Sequence, residues 1–223
     1  MNFFGHAALA ASHFGAEQPP LSSEALGKLC LGAMLPDFIG MLRLGRPELD
    51  DAVLARGVAF HHKTDEAFHE LPSFVRLSRQ AFAWLSERSL PRGPARAVAH
   101  IGVEMLLDEA FAVDRGARDA YRAALTVSLD RLLTFPSPTD ATRLGTLQAA
   151  LLERSNSSLG VGPDIVAERI RRTLAGRPRL AIDDSAQGLL TLWVASTRPL
   201  VTAEAPQVFA SLRLLLANFG RAE

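Results

Sequence analysis

The chain has 223 residues and no net formal charge, with 24 basic and 24 acidic side chains. A neutral chain has no bulk attraction for nucleic acid or anionic lipid, so we expect neither a nucleic acid polymer nor a membrane as partner. Apolar residues make up 48% of the sequence, and the abundance of Ala and Leu favours helix over strand.

Helical patterns recur along the whole chain, separated by segments rich in proline and glycine. The predicted helices cover about residues 3–13, 26–35 (ending at Pro36), 50–70, 73–87, 95–113, 118–133, 140–153, 163–175, 183–196 and 204–218. The sequence contains no repeat and no convincing strand. We therefore predict a single domain, an irregular all-α bundle of about eight to ten helices.

The N-terminal third also indicates the compartment. Cys30, the single cysteine, lies in an apolar run and is predicted to be a small buried hydrophobe. The first residues lack the basic flank of a secretory signal, and we find no apolar stretch long enough to span a bilayer. We therefore expect a cytoplasmic protein.

A first stripe of candidate metal ligands lies in the third predicted helix. His61, Asp65 and His69 follow one another at intervals of four residues. On a helix this spacing places all three on one face. The alternative, for this stripe and equally for the second stripe described next, is an exposed face with pairs formed within the helix.

A second stripe repeats the spacing at His100, Glu104 and Asp108. Because apolar residues surround it, this helix is expected to be largely buried. Carboxylates buried together require a partner or a cation. Imidazole and carboxylate together suit manganese, iron or zinc.

Two further candidates are His6, in the apolar first helix, and Asp37, directly after Pro36. A lone histidine in an apolar helix is commonly a core residue, and Asp after Pro is commonly a turn residue. Both nevertheless remain candidate ligands.

Several segments resemble the acyl carrier protein phosphodiesterases. Residues 1–6 (MNFFGH) resemble the family's MNFLAH start, and residues 32–38 (GAMLPDF) are similar to its GNLLADF segment. Residues 57–65 (GVAFHHKTD) resemble its GIxxHRxID motif. Glu104 and Asp108 fall where the family has DxxxDHF, and residues 175–180 (AGRPRL) resemble its RRPRL run. His69 and Glu104 stand where the family has Asp, and Glu109 stands where it has His.

The resemblance implies an HD-domain-like fold and a metal-dependent hydrolase that releases 4′-phosphopantetheine from holo-acyl carrier protein. The expected ion is Mn²⁺, with Fe or Zn as alternatives, and a two-metal site remains open. The predicted metal ligands are His6, His61, Asp65 and Asp108. The predicted catalytic residues, acting as general base or on the phosphate and leaving group, are Asp37, Glu104, His69 and His100.

A basic segment is a candidate docking surface for the acidic carrier protein. Its five arginines are Arg169, Arg171, Arg172, Arg177 and Arg179. The alternative is a solvated helix face.

Three other functions remain open at this point. One is an HD-like hydrolase of a nucleotide or other small phosphoester. Another is a di-metal carboxylate bundle, for which Glu66 and His69 supply only one of two required Glu-x-x-His pairs. The third is an interaction module that has lost its activity. The sequence leaves the oligomeric state open.

Overall fold

The computed structural model describes residues 1–155 and 162–219. Helices dominate these residues, so the all-α prediction is confirmed. The helices are α1 (Phe3–Phe14), α2 (Ser23–Leu42), α3 (Ala52–Glu70), α4 (Pro72–Glu87), α5 (Arg92–Phe111), α6 (Arg115–Leu125), α7 (Pro138–Arg154), α8 (Pro163–Ala175) and α9 (Gln187–Leu215). A short 3₁₀ helix, Asp184–Ala186, precedes α9.

The described residues group into two compact units. The first unit contains residues 2–67, 111–155 and 211–219, and the second contains Met1 and residues 68–110 and 162–210. The single domain stays a prediction.

In the first unit, α1, α2 and α6 pack against one another, and α7 packs against α2 and α6. Aromatic rings fill the space between α1, α2 and α6. The ring centroids of Phe4 and Tyr121 are 5.1 Å apart, and those of Phe3 and Phe38 are 5.4 Å apart. Two short antiparallel strands, β1 (Glu48–Leu49) and β2 (Leu133–Thr134), join the loops before α3 and α7. The expectation of no strand was therefore wrong at these four residues.

α2 and α3 approach each other closely at Gly32 and Gly57. A Cβ placed on Gly57 would overlap the Leu29 carbonyl oxygen and lie 2.9 Å from Gly32 Cα. A Cβ on Gly32 would overlap the Leu54 carbonyl oxygen in the same way. Only glycine allows two backbones to come this close, and this contact sets the position of α3 on α2.

In the second unit, a similar contact joins α5 to α9. A Cβ on Gly102 would overlap the indole ring of Trp193, which is fully buried, and would lie 3.3 Å from Ile170 Cδ1. Ion pairs also tie α9 to its neighbours, through Arg76 and Glu204 at 2.6 Å and through Arg198 and Glu109 at 3.1 Å. These contacts fix α5, which carries part of the candidate site.

Two helices continue through Pro36 and Pro199, where we predicted an end and a gap respectively. α2 runs past Pro36 to Leu42, and α9 is one helix containing Pro199 and Pro206 rather than two. An interior proline costs about 3 kcal/mol. Here α2 is held between α1 and α6, and α9 has a fully buried stripe along its length. That stripe includes Leu190, Trp193, Val194, Val201, Val208 and Leu212. Packing of these faces outweighs the cost of the prolines.

α6 ends earlier than we predicted, at Leu125 instead of Leu133. The Thr126 hydroxyl donates to the Ala123 carbonyl, and the Ser128 hydroxyl accepts from the Asp130 amide. Such side-chain bonds to the backbone compete with helix continuation. They free residues 133–134 to pair as β2.

One prediction about α2 needs correction. With 20 residues it is long and apolar enough, by length and composition alone, to cross a membrane, although we expected no such stretch. Half of its most apolar window is buried inside the protein. Cys30 on this helix is fully buried, as predicted, and its burial raises the pKa of its thiol to about 12.

Candidate metal centres

The first cluster of candidate ligands, the His6 cluster, lies in the first unit and consists of His6, Asp37, His61 and Asp65. They are carried by α1, α2 and α3. One ligand atom from each of His6, Asp37 and His61 lies within 4.8 Å of those of the other two. His6 Nε2 is 4.0 Å from Asp37 Oδ2 and 3.8 Å from Asp65 Oδ1.

The tautomer of His61 is set by the backbone of α2. His61 Nδ1 lies 2.8 Å from the Ala33 carbonyl oxygen. Because a carbonyl oxygen can only accept, we assign the proton to Nδ1, which leaves a lone pair on Nε2. Burial lowers the pKa of His61 to about 4. The imidazole is therefore neutral at neutral pH, as metal binding requires.

The chemistry of the His6 cluster fits a divalent ion. Histidines commonly bind a metal through one nitrogen while the other donates to a carbonyl, and His61 has this arrangement. The imidazoles of His6 and His61 are buried, with ring centroids 4.0 Å apart. Asp65, by contrast, has a side chain that is 40% exposed. The cluster thus combines two buried nitrogen ligands with a carboxylate open to solvent.

The second cluster, the His69 cluster, lies in the second unit and consists of His69, His100 and Glu104. His69 is near the end of α3, and the other two are on α5. His69 Nε2 and His100 Nε2 are 3.2 Å apart. Each also approaches Glu104 Oε1, at 3.4 Å and 3.1 Å respectively. Three atoms that can bind a metal therefore converge on one point.

The surroundings of this cluster hold its geometry. The two imidazoles stack at 5.0 Å with an angle of 10° between their planes, and the ring of Phe74 lies edge-on to both, at 5.4 Å and 5.3 Å. The Met1 nitrogen lies 3.1 Å from Glu104 Oε1. Burial would raise the pKa of Glu104, but the charge at Met1 and hydrogen bonds from His100 and His69 outweigh it and hold that pKa well below its usual range.

The structure distributes the predicted site over these two clusters. The stripe on α3 divides, with His61 and Asp65 in the His6 cluster and His69 in the other. On α5, His100 and Asp108 are eight residues apart, which corresponds to about 12 Å of helix rise. Asp108 is buried, but it belongs to neither group of three converging ligand atoms found in the described part of the chain. Its assignment as a ligand stays a prediction.

The other residues singled out in the sequence lie on the surface. Glu66 forms an exposed pair with Lys63 at 2.7 Å. In the basic segment, Arg171 binds Glu168 and Asp184, and Arg172 also binds Glu168. Arg169, Arg177 and Arg179 are exposed. Two of the five charges of the predicted docking surface are therefore engaged in local ion pairs.

Three contributors escaped the sequence analysis. The Ala33 carbonyl and the Met1 nitrogen are backbone groups, and no side-chain pattern indicates them. Phe74 is a buried residue of α4, and its ring borders His69 and His100. The spacing of the candidate ligands within one helix does not predict these three neighbours, because each neighbour comes from a different segment of the chain.

No protein-family model, no curated protein and no solved structure matches this chain. The likeness to acyl carrier protein phosphodiesterases therefore rests on the sequence motifs alone.

Proposed function

We propose that this protein is a metal-dependent phosphodiester hydrolase that acts on holo-acyl carrier protein. The observation that carries the proposal is the His6 cluster, in which two buried imidazoles meet carboxylates. The motif likeness supplies the substrate class and an HD-like enzyme, and the lack of a basic flank at the first residues is the reason that we expect it in the cytoplasm. The donor set suits Mn²⁺, with Fe or Zn as alternatives.

His6, Asp37 and His61 would hold the ion, and Asp65 would complete the set from its more exposed position. A divalent ion neutralises charge on a phosphate and acidifies water. The protein's part is to keep the ligands in the correct state. Ala33 retains the proton on Nδ1 of His61, and the buried rings exclude water from one side of the site.

The basic segment supports a second candidate. Five arginines would attract an acidic carrier protein, but Glu168 and Asp184 neutralise part of their charge. Because the positive charge of the segment is reduced, its attraction for an acidic protein is weaker. A nucleotide or another small phosphoester, hydrolysed at the same metal site, is therefore the alternative substrate.

The test is a substrate screen with matched variants. Metal-free protein receives MnCl₂ and is assayed on bis-p-nitrophenyl phosphate, nucleotides and holo-acyl carrier protein. We expect Mn²⁺-dependent release of phosphopantetheine, and a loss of more than about 100-fold in Asp37→Asn. Asp65→Ala and Asp108→Ala are expected to lose turnover while keeping their helicity.

His62→Gln is the matched control, because His62 neighbours His61 on α3 but is exposed. It should keep full activity. Turnover that survives Asp37→Asn unchanged, or none on any of the three substrates, contradicts the proposal. Turnover confined to the nucleotides establishes the second candidate.

A further inference from the structure

We propose that the His69 cluster is a metal site in its own right, which binds a Zn²⁺-class ion through His69 Nε2, His100 Nε2 and Glu104 Oε1. The proposal goes beyond the proposed function, which assigns metal binding to the His6 cluster and needs no second ion.

The spacing of the three atoms supports a common ion. Atoms about 2.1 Å from one zinc ion lie about 3.4 Å apart in tetrahedral geometry and about 3.0 Å apart in octahedral geometry. The three edges of the His69 cluster are 3.1, 3.2 and 3.4 Å. The side chains therefore already stand at the separations of a ligand face.

The two facing nitrogens support a cation as well. Two neutral imidazoles with facing lone pairs repel each other, unless a proton or a cation lies between them. Their Nε2 atoms are 3.2 Å apart. The Glu104 carboxylate already accepts from the Met1 ammonium at 3.1 Å, so the nitrogens, and not the charge of the carboxylate, favour an ion. Protons shared with Glu104 are the competing explanation, and in that case the cluster would bind no ion.

Accessibility indicates the kind of site. His69 is 34% and His100 is 45% exposed at the side chain, whereas Glu104 is 13% exposed. Structural zinc sites close with four protein ligands, while sites with three leave a position open. An ion here would have three protein ligands and an open side facing solvent. Two nitrogens and one oxygen favour zinc over magnesium or calcium.

The experiment counts ions. Full-length protein is stripped with a chelator, dialysed and titrated with ZnCl₂ against a chromophoric competitor. We expect two equivalents for wild type and one for His69→Gln and for His100→Gln. His62→Gln controls for loss of any histidine and should keep both. Circular dichroism verifies that each variant stays helical, which the exposure of His100 favours.

Cobalt gives a second readout that does not depend on stoichiometry. Co²⁺ should give visible absorption bands in which the contribution of this site is absent from His100→Gln and retained in Asp37→Asn. Equal zinc stoichiometry in wild type, His69→Gln and His100→Gln would overturn the proposal.

The variants also separate this proposal from the proposed function. A single equivalent that is lost in Asp37→Asn but kept in His100→Gln overturns the second site and leaves the first standing. The reverse pattern supports the second site and contradicts metal binding by the His6 cluster.

Discussion

Gly57→Ala should loosen the contact between α2 and α3, the helices that carry Asp37, His61 and Asp65 of the His6 cluster. The new methyl group would overlap the Leu29 carbonyl oxygen and stand 2.9 Å from Gly32 Cα. Ordinary carbon contacts are about 3.5–4.0 Å. Because the obstructing atoms are backbone, α2 and α3 must separate by at least roughly 0.6 Å to relieve the Gly32 contact, and by more to relieve the nearer Leu29 oxygen.

The size of the effect follows from two opposing contributions. Alanine is favoured over glycine in a helix by about 1 kcal/mol, whereas overpacking costs about 1–3 kcal/mol. Two backbone contacts place this site at the upper end of that range. We therefore expect the free energy of unfolding to fall by about 1–2 kcal/mol.

The matched control is Gly145→Ala, inside α7, where a Cβ would meet nothing within 4 Å. It should raise the free energy of unfolding by up to about 1 kcal/mol. Urea unfolding followed by circular dichroism measures both variants. Mn²⁺ affinity should also fall in Gly57→Ala, because α2 carries Asp37 and Ala33 while α3 carries His61. Equal stabilisation by the two substitutions would refute the packing account.

Three further predictions concern other parts of the molecule. The pKa of His61 is about 4 in the folded protein and about 6.5 in the unfolded chain. As the pH falls, the unfolded chain therefore takes up the proton first. The free energy of unfolding of metal-free protein should fall by up to about 3 kcal/mol between pH 6.5 and 4. His61→Gln should flatten that part of the urea-denaturation profile, and an unchanged slope would contradict the assignment. Gly102→Ala should lower the free energy of unfolding by about 2 kcal/mol or more, because the new methyl group would overlap the buried ring of Trp193. The control is Gly188→Ala, where a Cβ meets nothing within 4 Å. Equal melting temperatures of the two variants would contradict the contact. Reversing the exposed Arg177 and Arg179 to Glu should weaken salt-sensitive binding of holo-acyl carrier protein, while the same change at the exposed Arg79 and Arg154 should not. Calorimetry that shows an equal loss of binding in both pairs would remove the docking surface.

Local signals in the sequence predict most of the helices. α4, α7 and α8 each begin with a proline at the first position, Pro72, Pro138 and Pro163, where proline is favoured. Interior prolines mislead, because Pro36 and Pro199 are tolerated only through packing that local sequence does not contain. The end of α6 was missed for a related reason, since hydroxyl bonds at Thr126 and Ser128 replace the next turn.

The candidate site was predictable in residue type but not in grouping. Spacing by four residues correctly places His61 and Asp65 on one face of α3. It does not reveal which ligands arrive from α1 and α2, because those contacts join residues far apart in sequence. One ion cannot contact residues eight apart on a helix, so the rise per residue alone already argues against a single site for each whole stripe.

The burial of Cys30 makes its thiol a chemical probe of local opening in the protein. The chain has one thiol, and it is fully enclosed in the core of α2 with a pKa of about 12. The thiolate, and not the thiol, attacks an alkylating reagent, so Cys30 should react only when the surrounding helices open. The rate of modification then reports how often this part of the protein opens under native conditions. If the His6 cluster binds Mn²⁺ as proposed, adding Mn²⁺ should lower that rate in proportion to the fraction of protein left without the ion.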